Sequence, residues 1–96
     1  MVRVQMPDHA GSRDQAQDLL RALPNDLTGT IVALDCSDVV VSTPSFMDEM
    51  VKQILEKRHA KTLEVNSGSQ RAQELLKRSA ENRGVRDRLQ VAVGLG

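Results

Sequence analysis

The chain contains one nearly continuous apolar run, Thr30-Ile31-Val32-Ala33-Leu34, and this run limits the folds that the chain can adopt. Aliphatic and β-branched residues in such a run are typical of a central strand that is covered on both faces of its sheet. Turn residues precede the run over 26–29, and polar residues follow it from Asp35 onward. We therefore expect the centre of an α/β sheet at residues 30–34.

Strand and helix patterns alternate on either side of this run. Four strands are predicted, at residues 2–6, 30–34, 62–65 and 89–93. Three helices are predicted from apolar residues three and four apart, the first capped by Ser12, the second over 45–58 and the third closed at 82–84. The order β-α-β-α-β-α-β favours a mixed or parallel sheet with helices packed on it. We expect a small α/β domain with a mixed four-stranded sheet and three helices.

From the length we expect one domain, residues 1–96. The composition argues against nucleic acid and membranes as partners. A core of this size leaves no room for a second one. The 13 basic residues balance the 13 acidic ones and Phe46 is the only aromatic residue, so we expect no nucleic-acid partner. No apolar run approaches the roughly 20 residues that span a bilayer, so we expect no membrane partner. The lone Cys36 and the absence of a leader pattern favour a cytoplasmic location.

No residue pattern points to catalysis or to a metal. His9, His59 and Cys36 do not share a recognised ligand spacing. Asp35 and Asp38 are two carboxylates without further oxygen ligands, which favours a role in a turn. The sequence shows no nucleophile with a neighbouring base, no pair of acid and base, and no phosphate-binding loop. We therefore expect a non-enzymatic protein without catalytic residues, metal or cofactor.

Ser45 stands where the second helix is expected to begin. Its side chain fits the role of an N-cap, in which a serine oxygen accepts from the N–H groups two or three residues further on. It also fits the role of a phospho-acceptor, because the positive end of a helix favours a phosphoryl group. The two roles can coexist, and we interpret Ser45 first as a cap. Asp48 and Glu49 are expected either to complete this cap or to contact a partner.

Two motifs resemble a known family. Asp35-Cys36-Ser37-Asp38-Val39 is similar to the Asp-x-x-x-Val segment that ends a strand in the STAS domains of anti-sigma factor antagonists, and Ser45 then falls on their phosphorylated serine. The helix opening, Ser45-Phe46-Met47-Asp48-Glu49-Met50, resembles that of compact bacterial STAS-like relatives. The resemblance spans residues 28–85.

The resemblance implies a partner and a way of regulating it. In the antagonists, a histidine-kinase-like ATPase that acts as an anti-sigma factor phosphorylates the serine, and the unphosphorylated form releases the sigma factor. The partner is then expected to contact residues at the start of the second helix and in the preceding turn: Asp38, Ser42, Thr43, Ser45, Phe46, Asp48 and Glu49. Two alternatives stay open, a structural or regulatory subunit that is never phosphorylated and, with less support, a small nucleotide-binding protein or enzyme.

Overall fold

Strands and helices alternate along the chain in the computed structural model, which describes residues 1–66 and 68–91. The elements are β1 (Val2–Gln5), β2 (His9–Ala10), α1 (Arg13–Leu20), β3 (Ile31–Asp35), β4 (Val41–Ser42), α2 (Pro44–Val51), β5 (Thr62–Asn66), α3 (Gln70–Asn82) and β6 (Leu89–Val91). A π-helical segment, Lys52–Lys57, continues α2, and a short 3-10 turn, Arg86–Arg88, precedes β6. Ser67 and residues 92–96 lie outside the described residues, and with them the end of the last predicted strand, 92–93.

The main sheet has the strand order β1-β3-β5-β6. All three of its strand pairs are parallel, with Val4 opposite Leu34 and Leu34 opposite Val65. The α/β class, the four strands and the three helices are thus confirmed, while the sheet is parallel where a mixed one was expected. A second, two-stranded sheet that pairs β2 with β4 was not predicted. Both of its strands have only two residues, too few for a periodic pattern to show.

The three helices cover one face of the main sheet. Because the strand order follows the chain order and β-α-β crossovers are right-handed, successive helices are placed on the same side. The residues facing that side are buried, among them Val4, Val32, Leu34, Leu63, Val65 and Leu89. The opposite side carries mostly polar residues, such as Arg3, Gln5, Glu64 and Gln90. The helices therefore do not cover β3 on both faces, although Ala33 is buried between its register neighbours Arg3 and Glu64.

Helix α2 lies at the centre of the helical layer and packs against both α1 and α3. Its apolar residues Phe46, Met47, Met50 and Val51 are fully buried, and Ile54 and Leu55 continue this face into the π-helical segment. The combined helix ends at Lys57, and His59 just beyond it has a φ of 60°. The N–H of Ala60 donates to the carbonyl of Ile54 at 3.0 Å. The packing of α2 against α1 and α3 therefore fixes the position of its first turn.

Gly68 lies close to Cys36 and adopts a left-handed backbone conformation with a φ of +93°. A Cβ at Gly68 would lie 2.8 Å from the Cβ of Cys36, which is too close for two carbon atoms to coexist without a backbone shift. Gly29 is also left-handed, with a φ of +77°, but a Cβ there meets no atom within 4 Å. The two positions therefore separate backbone strain from a steric clash.

We expect Gly68→Ala to lower the free energy of unfolding by about 2–4 kcal/mol, because strain and overpacking add. Gly29→Ala is the control and should cost about 1 kcal/mol, since strain acts alone there. Urea unfolding of both variants measures the difference. Equal losses at the two glycines would contradict the close approach of Gly68 to Cys36.

Candidate functional site: the groove at the start of helix α2

Thr43, and not Ser45, is the N-cap of α2. The backbone of Thr43 is extended, with φ −113° and ψ 153°, and its Oγ1 accepts from the N–H of Phe46 at 3.2 Å. The same hydroxyl donates to the carbonyl of Gly11 at 3.1 Å. Pro44 explains the shift, because proline lacks an N–H and suits the first helical position, while the residue before it is driven into an extended conformation. The prediction that Ser45 is the cap is wrong.

Ser45 is consequently exposed in the first turn of α2, and its hydroxyl makes no hydrogen bond within residues 1–66 and 68–91. An unengaged hydroxyl at this position remains available for a reaction or for a partner. The capping serines of the other two helices contrast with it. Ser12 Oγ accepts from the N–H of Gln15, and Ser69 Oγ accepts from the N–H of Ala72, each at 3.1 Å. The prediction that Ser12 caps the first helix is confirmed.

The cap assignment can be measured by comparing two alanine variants. We expect Thr43→Ala to lower the free energy of unfolding by about 1–2 kcal/mol, since it removes the cap and the bond to Gly11. Ser45→Ala should change the same quantity by less than about 0.5 kcal/mol, as is usual for an exposed side chain without partners. Thr43→Ser is the matched control that keeps the hydroxyl. If Ser45→Ala were the more damaging of the two alanine variants, Thr43 would not be the cap.

The residues that were expected to contact a partner differ in how much of each residue is exposed to solvent. Asp38 and Ser45 are exposed, and Thr43 and Asp48 are half-buried. Three others are buried: Ser42, Phe46 and Glu49. Phe46 belongs to the core, and Glu49 is covered by α1 residues that donate hydrogen bonds to it. A direct partner contact through these three buried side chains stays an untested prediction.

Two exposed valines in the same segment were missed by the sequence analysis. Val40 is 77% exposed and Val41 is 44% exposed, which sets them apart because large apolar side chains are mostly buried elsewhere in the described chain. Their backbone N–H groups both donate to the carbonyl of Asp8, which holds the turn against the loop after β1. In the sequence, these exposed valines belong to a run of valines that lies outside every predicted strand and helix. We call residues 38–45 the docking segment.

A groove of about 290 Å³ opens beside Ser45, between the starts of α1 and α2 and the exposed side of α3. Leu75 forms part of its apolar lining, and Arg13 and Arg78 bring positive charge to it. We call this depression the α2 groove. Its lining combines the unengaged hydroxyl of Ser45, the two guanidinium groups, the carboxylate of Asp48 and an apolar surface.

Asp48 lies in the α2 groove and joins all three helices. Its Oδ2 accepts from Arg83 Nη2 at 2.6 Å and from Arg13 Nη1 at 2.9 Å, and its Oδ1 accepts from Arg83 Nε at 2.8 Å and from Ser79 Oγ at 2.7 Å. The bidentate Arg83 guanidinium is the main reason why the pKa of Asp48 is held well below its usual range, and Ser79 and Arg13 add to the effect. Asp48 is therefore a structural carboxylate rather than part of a cap.

Glu49 is a second carboxylate of the same network and is only 1% exposed. Its oxygens accept from Gln53 at 2.8 Å, from Gln17 at 3.1 Å and from Arg13 at 3.2 Å. Burial raises the pKa of Glu49, but these hydrogen bonds and the charge of Lys52 outweigh burial, so that the net pKa is lowered. The hydrogen bonds from Arg13 and Gln17 to Glu49 thus hold α1 against α2 beneath the groove.

The cysteine and the aspartates that the sequence offered as candidate nucleophile and metal ligands lie near the end of β3. Burial raises the pKa of the Cys36 thiol to about 11, which disfavours the thiolate that a nucleophile requires. Asp35 accepts from the N–H and the hydroxyl of Ser37 in a local turn. Within residues 1–66 and 68–91, no three His, Cys, Asp or Glu side chains group in a way that could hold a metal ion.

No protein-family model, no curated protein and no solved structure matches this chain. The resemblance to STAS domains therefore stays a prediction from the residues that carry it. Across the part of the chain that the structure describes, no helix has the length and the apolar character needed to cross a bilayer.

Proposed function

We propose that this chain is a non-enzymatic, STAS-like regulatory module that binds a partner protein through the docking segment and the α2 groove, with Ser45 as a phosphorylation switch. The observation that carries the proposal is the free, exposed hydroxyl of Ser45 beside a cationic groove. The capping role of Thr43 supports it, because modifying Ser45 removes no bond that holds α2 in place. The exposed Val40 and Val41 add apolar surface of the kind that interfaces use.

The proposed reaction is carried out by the partner, a histidine-kinase-like ATPase of the anti-sigma factor type. Ser45 Oγ attacks the γ-phosphorus of ATP and forms a new O–P bond. The bond between the γ-phosphorus and the β–γ bridging oxygen breaks, ADP leaves and the serine proton passes to a base of the kinase. The phosphoryl group adds about −1.5 to −2 charges at pH 7, which changes the sign of the groove without displacing the cap. We place this exchange in the cytoplasm.

The test is to incubate the protein with ATP and the histidine-kinase-like ATPase encoded nearest to its gene, and to locate phosphate by mass spectrometry. We expect phosphate on Ser45 in the wild type and none in Ser45→Ala. Ser37→Ala is the control, because Ser37 is exposed but already donates to Asp35, and it should be labelled like the wild type. Absence of label on Ser45 would refute the switch, and partner binding that survives without it would favour the constitutive subunit.

A further inference from the structure

Two arginines in the α2 groove have N–H groups that make no hydrogen bond with the described residues. Arg78 is exposed on α3 and makes no hydrogen bond or ion pair within the described ranges 1–66 and 68–91. Arg13 uses only Nη1, which donates to Asp48 at 2.9 Å and to Glu49 at 3.2 Å. Its Nη2 and Nε have no acceptor among the described residues. A guanidinium carries five N–H donors, so both side chains can bind an anion without breaking the hydrogen bonds that Arg13 already makes.

The charges that face Ser45 from the surrounding helices leave the groove receptive to an anion. Arg13 faces it from α1, Asp48 from α2 and Arg78 from α3. The carboxylate of Asp48 is already compensated by the two-pronged contact with Arg83, at 2.6 Å and 2.8 Å. Arg83 also pairs with Glu56 at 3.3 Å and Arg13 pairs with Glu49 at 3.2 Å, so among the described residues of the groove the positive charge that remains unpaired is that of Arg78. Guanidinium groups match phosphate oxygens in geometry and form the stronger, charge-assisted hydrogen bonds.

We infer that Arg13 and Arg78 bind the phosphate of phosphorylated Ser45 within the same chain. This inference rests on the proposed function and specifies how the modified state is held. The phosphate fills the α2 groove and occupies the two guanidinium groups, so that an incoming partner meets neither the cavity nor its free cations. The switch then acts by intramolecular occupation of the docking site as well as by added charge.

The inference can be tested without any kinase by incorporating phosphoserine at position 45 during translation. The pKa of the phosphate is measured by 31P NMR titration and compared with the ordinary value of about 6. We expect a pKa about 0.5–1 below that value, because neighbouring cations favour the doubly charged form even at an exposed site. Arg78→Gln should remove at least half of the shift, and Arg13→Gln should also reduce it.

Arg71→Gln is the matched control. Arg71 is an exposed arginine two turns earlier on α3 and does not line the groove, yet its substitution changes the net charge by the same amount. It should leave the phosphate pKa unchanged. A phosphate pKa at or above 6 that neither Arg13→Gln nor Arg78→Gln alters would overturn the inference. A kinase that fails to label Ser45 would count against the proposed function alone, because the phosphate in this experiment does not depend on a kinase.

Discussion

Phe46→Ala is expected to lower the free energy of unfolding by about 3–5 kcal/mol, the usual cost of truncating a buried phenylalanine. Phe46 is fully buried in the centre of the helical layer, where a cavity cannot be filled by solvent. Since a domain of this kind is stable by only about 5–15 kcal/mol, much of its stability would be lost. Urea unfolding followed by circular dichroism measures the change.

Phe46→Leu is the matched control for this prediction. Leucine keeps most of the apolar volume and should cost less than about 1.5 kcal/mol. A loss below 0.5 kcal/mol for Phe46→Ala would place the ring at the surface, as the expected role in partner binding required. The variant thus decides between a core residue and a contact residue.

Asp48→Asn is expected to lower the free energy of unfolding by about 2–3 kcal/mol. The substitution keeps the side-chain volume but removes the carboxylate that Arg83 binds through two nitrogens. Arg83 then keeps only Glu56, at 3.3 Å, and Arg13 keeps only Glu49, at 3.2 Å. The Asp48 side chain is 23% exposed, which is why we expect less than the full cost of breaking a buried ion pair. Asp18→Asn is the control. Asp18 pairs with Arg21 at 3.1 Å on the open surface, where a pair contributes little.

The pH dependence of stability follows from the lowered pKa of Asp48. A carboxylate whose folded pKa lies below its unfolded value of about 3.9 contributes stability that is fully present above that value and is lost as the pH falls through the folded pKa. The wild type should therefore lose stability below about pH 4, and Asp48→Asn should lose less over the same interval. Thermal unfolding between pH 7 and pH 2 tests this, and parallel curves for the two proteins would show that Asp48 carries no such linkage.

Much of the fold was predictable because its signals are local. The apolar run at 30–34 identified the central strand, and Ser12 identified the start of α1, since each pattern depends on neighbouring residues. The parallel pairing and the bare second face of the sheet were not visible, because they depend on how strands far apart in the chain come together. Phe46 belongs to the apolar residues three and four apart over 45–58, and this spacing alone implied a core position for its ring.

The candidate site was predicted less well, and the reasons are physical. Proline at the first helical position places the cap at Thr43, two residues before Ser45, and this local effect outweighs the general preference for serine. Glu49 is buried because Arg13 and Gln17, more than 30 positions earlier, supply hydrogen bonds to it. Such long-range compensation leaves no periodic signal in the sequence.

The proposed switch is tested most directly by isothermal titration calorimetry. The proposed partner, the histidine-kinase-like ATPase encoded nearest to the gene, is titrated with the unmodified protein and with the protein that carries phosphoserine at position 45. We predict that phosphorylation weakens binding at least about tenfold, which corresponds to roughly 1.4 kcal/mol, because the phosphate adds negative charge and fills the α2 groove. Equal dissociation constants for the two forms would contradict the account of Ser45 as the switch.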